Sequence, residues 1–313
     1  MNSNSSNIPD SVSNYLGSDK NCPLTGDCSF QFLYRSTFSN FDLPIYECKK
    51  CLIQKQSPIP LNPDELYDEN YYSGLSTFSY QDERKTYKFH SYVWDSRLAI
   101  ICRFKKSGKI LEIGSSFGGF LSRAKKFGFE VFGLEISKYS CDYANSQGIP
   151  TIYGKLEDTN FQNQQFDAIV LTEVIEHLEN PKFVFDELSR VLKNDGLLIL
   201  QTANFEGWQA KNSGASYHYY LPGHLYYYGE NNLKNILKLR GFDRFKVFYG
   251  SDVSLISKLK KSRGNFQNLL DYAKWIKTII FHFKSKLKKS GYPLTSGFVI
   301  YCFKGGSDTD NDE

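Results

Sequence analysis

Between residues 109 and 202, short and almost purely apolar runs alternate with stretches whose apolar residues recur every three or four positions. The runs are KILEI (109–113), EVFGLEI (130–136), PTIYG (150–154), FDAIVLT (166–172) and GLLILQT (196–202). FDAIVLT has a continuous apolar character rather than an alternating one, as in a strand covered on both faces. Between the runs, GGFLSRAKKFG and SKYSCDYANSQG read as helices. A third helix starts at Asn180-Pro181, a capping residue with proline in the first turn. Val184, Leu188, Val191 and Leu192 form its buried stripe. Strands and helices alternating at this spacing predict βαβ units and a mostly parallel sheet. Upstream, Phe89, Val93, Leu98 and Ile101 place a helix within 82–106. Downstream, NNLKNILKLRGF reads as a helix ending at Gly241, and FDRFKVFY (242–249) and GFVIYCF (297–303) are two further β-type runs. The fold class expected is α/β. It is a Rossmann-like, mostly parallel seven-stranded sheet with helices on both faces, plus a small N-terminal zinc-knuckle-like module.

The division that follows has a disordered Asn/Ser-rich tail at 1–20 and a cysteine-rich module with a lid segment at 21–81. The main domain covers 82–305, with a basic helical insertion at 254–295, and 306–313 is an acidic disordered tail. Composition adds that 41% of residues are hydrophobic and 23% charged, the balance of a globular chain rather than a disordered one. No run approaches the roughly 18 apolar residues of a membrane span. The first residues lack the basic and apolar regions of a signal peptide, so a cytoplasmic location is expected. Charge is regional: residues 234–289 hold 15 Lys/Arg and 3 Asp/Glu, a local +12 inside an overall +4. An anionic partner is therefore to be sought there.

The segment LEIGSSFGGFL (111–121) ends a strand, turns through Gly114 and opens a helix near Gly118 and Gly119. Glycines in such a turn let the backbone approach a ligand where a Cβ would collide. Ser116 stands at the middle position of G-x-G-x-x-G, so this is not the dinucleotide fingerprint. Glu135 ends the second strand, where an acid accepts hydrogen bonds from ribose hydroxyls. GKLEDTNF and FDAIVLTEVIEHLENP follow in order. With these motifs, nearly all of residues 60–304 resembles the class I S-adenosylmethionine (SAM)-dependent methyltransferases. The resemblance implies that Glu112, Gly114, Ser116 and Gly118 hold the amino-acid end of SAM and Glu135 its ribose. It gives adenine to Leu156 with Glu157, and sets Thr172 and Glu173 beneath the methyl donor.

Four of the seven cysteines fall within the first 51 residues, as C-x5-C-x19-C-x2-C. Cys48 and Cys51 have the spacing that turns two thiolates towards one tetrahedral metal, and a structural zinc held by Cys22, Cys28, Cys48 and Cys51 is expected. The arrangement resembles the N-terminal cysteine segment of methyltransferases acting on sugars. The same group has a histidine motif that YHYYLPGHLYYYGENNL resembles, which implies His224 as general base, with His218 as the local alternative and Tyr72 in a segment folding over donor and acceptor. The alternative for His224 is a half-buried imidazole bonded to a carbonyl, and for the tyrosines of 217–228 a place in the core. His177 is expected to be structural.

The function expected is SAM-dependent methylation, on oxygen or carbon, of a small-molecule or sugar/glycan acceptor. The alternative is an RNA-directed or non-catalytic SAM-binding module using the basic C-terminal region. Nucleobase methylation is disfavoured, because neither [DN]-P-P-[YF] nor Pro-Cys follows the fourth strand. Residues 264–289 are expected to be helical, basic and amphipathic. Such a helix either lies on an anionic membrane surface, suiting a lipid-linked acceptor at the inner membrane face, or packs its apolar side on the enzyme.

Overall fold

The computed structural model describes residues 22, 24, 29–38, 42–57 and 82–305. In chain order the strands are β1 (Phe30–Arg35), β2 (Pro44–Cys48), β3 (Gln54–Gln56), β4 (Gly108–Ile113), β5 (Phe129–Glu135), β6 (Thr151–Tyr153) and β7 (Phe166–Thr172). They continue with β8 (Leu192–Ala203), β9 (Tyr226–Tyr227), β10 (Phe242–Tyr249), β11 (Lys288–Lys289), β12 (Tyr292–Pro293) and β13 (Gly297–Lys304). The helices are α1 (Tyr87–Phe104), α2 (Gly119–Lys126), α3 (Lys138–Ser146), α4 (Pro181–Val191), α5 (Trp208–Ser213), α6 (Glu230–Lys238), α7 (Leu255–Ser262) and α8 (Lys274–Lys284).

The large sheet has seven strands in the order β10-β13-β8-β7-β4-β5-β6. The pairs β8–β7, β7–β4, β4–β5 and β5–β6 are parallel, and β13 runs antiparallel to both its neighbours. Side chains alternate between its two faces, so consecutive apolar residues enter different cores. Ile110, Ala168, Val170, Leu197 and Ile199 pack beneath α1, α2 and α3, with Leu98, Leu121 and Ala144 from those helices. Leu111, Ile169, Leu171, Leu198 and Leu200 pack against Phe185 and Leu188 of α4 and Ile236 of α6. Two-sided burial is why these strands carry no polar alternation. Asn180 caps α4 as expected, its side chain accepting from the Phe183 amide. Leu192, expected on that helix's stripe, instead starts β8.

The N-terminal strands form a second sheet, in the order β1-β2-β3-β9. Its last strand belongs to the main domain, with Gln54 opposite Tyr227 and Lys55 opposite Tyr226. Cys22, Leu24, Cys48 and Ile53 share one core with Leu225, Tyr226 and Tyr228. The cysteine segment is thus built onto the loop that follows β8.

The stretch 264–289 is not one helix. Short 3-10 turns cover Arg263–Asn265 and Leu269–Ala273, α8 ends at Lys284, and Lys288 and Lys289 belong to the β11–β12 hairpin. Ser290 (φ 52°) and Gly291 (φ 82°) are the two left-handed residues of the hairpin's two-residue turn. Trp275 and Ile279 are half-buried, whereas Leu269, Leu270, Ile276, Ile280 and Phe283 are exposed, Leu269 and Leu270 each to 84%. Among the described residues no helix is long and apolar enough to cross a membrane.

Candidate active site

The C-terminal ends of the parallel strands β4, β5, β7 and β8 lie side by side at one edge of the sheet, the edge at which ligands bind in open α/β sheets. Gly114 follows β4 at φ 72°, and a Cβ there would stand 2.6 Å from a Val174 methyl carbon. Gly118 (φ 76°) leads into α2. Between them Ser116 takes φ 49°, a left-handed conformation that costs a non-glycine residue of order 1 kcal/mol. Its Oγ, like the Oγ of Ser115, is buried with no hydrogen-bond partner. Glu135 ends β5 and accepts from the Ser116 and Ser137 amides, both at 2.8 Å, which ties the turn to the second strand.

Glu112 is buried, and its Oε2 has no partner. Burial, then the nearby Glu83 carboxylate, raise its pKa well above the carboxylate range, and the Arg97 guanidinium opposes them. A cationic group arriving beside Glu112 removes that penalty. The site therefore fits the ammonium of an amino acid, with orphaned hydroxyls beside it for polar partners. Leu156 is buried in a 3-10 turn that also carries Glu157, which is exposed. Lys155 turns away to pair with Glu179 at 2.7 Å.

Thr172 ends β7, and its Oγ1 accepts from Arg97 Nη1 at 2.8 Å. Glu173 follows at φ 53° and accepts from Gln201 Nε2 at 2.8 Å. Arg97 is fully enclosed. Its Nε and Nη2 donate to the two oxygens of Asp252 at 2.8 and 3.0 Å, and Nη2 also reaches Gln201. Asp252 also accepts from the Tyr301 hydroxyl, and these donors hold its pKa below the usual range despite burial. Sequence reasoning missed Arg97 and Glu83, whose Oε1 accepts from the Gly119 amide at 3.3 Å. One signal was present: Arg97 stands midway between Val93 and Ile101 at i+4 spacing, a charge on an apolar helix face.

A cavity of about 380 Å³ opens beside these strand ends, lined by Glu173, Gln201, His218, Tyr219, Phe281 and Phe298 among others. His218 is exposed and its pKa is somewhat lowered by partial burial. His224 is buried. Its Nδ1 faces the Tyr219 carbonyl at 3.0 Å, and burial pushes its pKa down to about 3. His177 is bonded through Nδ1 to the Gly223 carbonyl at 2.9 Å, with its pKa down to about 4 for the same reason. The two rings meet edge-to-face, centroids 4.8 Å apart. Tyr217, Tyr220, Tyr226, Tyr227 and Tyr228 are core residues, so of this cluster Tyr219 alone is a described lining residue of the cavity.

Cys48 closes β2, and its sulfur, that of Cys51 and that of Cys22 lie within 4.8 Å of one another. Cys22 and Cys51 sulfurs are 3.4 Å apart. Cys28 and Tyr72 lie outside the described residues.

A methyltransferase-domain family model matches residues 85–246. The chain belongs to the class I SAM-dependent methyltransferases. Similar proteins include the uncharacterized protein MJ1123 of Methanocaldococcus jannaschii, 36% identical over 108 residues, which are 34% of this chain and 51% of that one. A ubiquinone biosynthesis O-methyltransferase of Rickettsia bellii is 26% identical over 42% of this chain and 64% of its own. The match thus spans between half and two thirds of these relatives' length. Phosphoethanolamine N-methyltransferase 2 of Haemonchus contortus, solved with S-adenosyl-L-methionine, shares the fold, with a TM-score of 0.51 at 18% identity. That likeness covers 95% of this chain and 73% of the other.

Membership in this family predicts an outcome for the second-strand acid. Glu135→Ala should weaken S-adenosylhomocysteine binding by about tenfold or more in isothermal titration, a loss of roughly 1.4 kcal/mol. Unchanged affinity would remove Glu135 from the donor site.

Proposed function

We propose that this methyltransferase methylates a hydroxyl oxygen of a small-molecule or sugar acceptor seated in the cavity beside β7 and β8. Glu112, the Gly114–Gly118 turn and Glu135 would hold SAM, with Leu156 and Glu157 at the adenine and Thr172 and Glu173 beneath the sulfonium. Bound SAM supplies an electrophilic methyl group on sulfur. The protein's remaining tasks are to align the acceptor oxygen and take its proton as the carbon–oxygen bond forms and the carbon–sulfur bond breaks. The observation that carries this reading is the cavity itself, which brings Glu173 and Gln201 together with His218 and Tyr219. Hydroxyl chemistry is also what the O-methyltransferases among the relatives are named for.

His218 suits the proton-accepting role better than His224. It stands on the cavity wall, whereas His224 is enclosed and burial pushes its pKa down to about 3. A base works when unprotonated, and the His218 pKa lies below its ordinary value. Turnover should therefore rise with pH through the acidic range and be level by neutrality. A panel of nucleotide sugars and hydroxylated aromatics, assayed for methyl transfer, should yield an acceptor. His218→Asn should then lower kcat by about 10²-fold or more and abolish the acidic limb. An unchanged profile would return the role to another group.

The acceptor also has a route from a membrane. Ile276, Ile280 and Phe283 form an exposed i, i+4, i+7 stripe on α8, continued by Leu269 and Leu270 and flanked by Lys274, Lys277 and Lys284. Aliphatic exposure beside lysines matches an anionic lipid surface better than nucleic acid, which offers no apolar phase to bury it. Phe281 of the same helix lines the acceptor cavity. The protein should float with anionic but not neutral liposomes, less so at high salt, and Ile280→Asp should abolish flotation. Failure to float at low salt would end this reading, and displacement from liposomes by RNA would favour the RNA-directed one.

The cysteine cluster fits one structural zinc, with Cys28 as the fourth ligand. Three convergent sulfurs support it, since a tetrahedral thiolate site needs four at about 2.3 Å from the metal. Metal analysis should find one zinc per chain that Cys48→Ser removes. Folded, zinc-free wild-type protein would exclude the site.

A further inference from the structure

Lys258 has a neighbour that a cation does not ordinarily take. Its Nζ lies 3.2 Å from Nδ1 of His282, where α7 meets α8. An ammonium can only donate, so the imidazole is neutral, accepts through Nδ1 and keeps its proton on Nε2. Lys286 follows one turn later, and its charge acts on both groups. Burial lowers the pKa of Lys258, Asp252 opposes this, and Lys286 lowers it further. Burial, then Lys258 and Lys286, lower that of His282. Asp252 is already committed, since its oxygens accept from Arg97 and Tyr301. Among the described residues neither lysine forms an ion pair.

The end of α8 accounts for part of this charge. His282 lies in its last turn and Lys286 just beyond, where free carbonyls favour cations. Lys258 belongs to another helix and is half-buried. The helix end therefore explains why cations are tolerated there, not why three donors from two helices converge without an acceptor. The cluster borders the acceptor cavity from two directions. Phe281, next to His282, lines the cavity, and its ring centroid is 5.8 Å from Lys258 Nζ. Gly250 lines it too, and a Cβ there would stand 3.0 Å from Cβ of Ser285, the residue before Lys286.

We propose that Lys258, His282 and Lys286 form a subsite for a phosphate or diphosphate group carried by the methyl acceptor. The donors fit in number and charge. Two ammonium groups and the His282 Nε2–H meet the near-dianionic charge and the three terminal oxygens of a phosphomonoester. A carboxylate, with one charge, would leave an ammonium uncompensated. His282 is on the side of α8 that meets α7, whereas Ile276, Ile280 and Phe283 form the exposed stripe. The anion is thus held at the cavity border and not in the plane of that stripe. Its assignment to the acceptor rests on the cavity reading above; anion binding itself does not.

The test titrates full-length protein with inorganic pyrophosphate at constant ionic strength, read by nuclear magnetic resonance of its isotope-labelled imidazoles. The His282 signal, assigned by its loss in His282→Gln, should shift with a dissociation constant of about a millimolar or below. Lys258→Gln should weaken binding by about tenfold or more, the worth of one charged hydrogen bond. Lys238→Gln, the same loss of charge on α6, should leave it unchanged. S-adenosylhomocysteine binding, retained in each variant, is the check on folding. No saturable shift, or equal weakening in both lysine variants, would overturn the site. With an acceptor in hand, pyrophosphate should compete with it and not with SAM, and Lys258→Gln should raise its KM by a similar factor at unchanged kcat. An unaltered KM would overturn the assignment to the acceptor and leave anion binding standing. Flotation with phosphatidic acid vesicles separates the other source of phosphate. Lys258→Gln should float as the wild type does; loss of flotation would transfer the subsite from the acceptor to a lipid headgroup.

Discussion

Arg97 is the charge around which the strand ends are arranged. It comes from the helix before the sheet, yet touches Thr172 at the end of β7, Gln201 on β8 and Asp252 after β10, and Asp252 in turn receives Tyr301 from β13. A guanidinium removed from water is tolerated only when its donors are met and its charge is paired. That requirement fixes the relative height of these elements to the precision of a hydrogen bond. Gln201 passes the constraint on to Glu173, at the rim of the cavity. The pair is weak evidence for stability and stronger evidence for geometry, since a hydrophobic replacement would pack as well without specifying where Thr172 and Gln201 must sit.

The parallel sheet was legible in the sequence because burial on both faces leaves no room for polar residues. FDAIVLT marks β7 residue for residue, and the other strands agree within a few positions at their ends. The donor turn was legible because glycine is demanded there by a backbone approach and by positive φ. Ser116 accepts the same left-handed conformation at a cost, so its departure from glycine changes energy rather than path. Arg97 and Asp252 were not legible as a pair, since 155 residues separate them and no local rule links a helix arginine to an aspartate beyond the sixth strand of the sheet.

Two other failures have a shared physical origin. Tyrosine is both a large apolar body and a polar tip, so the run after β8 could not be divided by pattern into core and cavity. The fold buries five of its rings and leaves Tyr219 to the site. Lysine is similarly two-sided, with a long apolar stem. A stretch of alternating Lys and Ile therefore reads as one amphipathic helix even where the chain makes short turns, a helix and a hairpin.

The sharing of β9 gives the N-terminal sheet a role its size does not suggest. Tyr226 and Tyr227 pair with β3 two residues after His224, so the loop that carries both histidine-orienting carbonyls ends as the edge strand of a sheet whose cysteines share a core with Leu225, Tyr226 and Tyr228. The two chemistries sit on one mechanical frame. The loop after β8 therefore cannot take its folded path until the N-terminal strands are in place, because the partner of β9 is a strand from the other end of the chain.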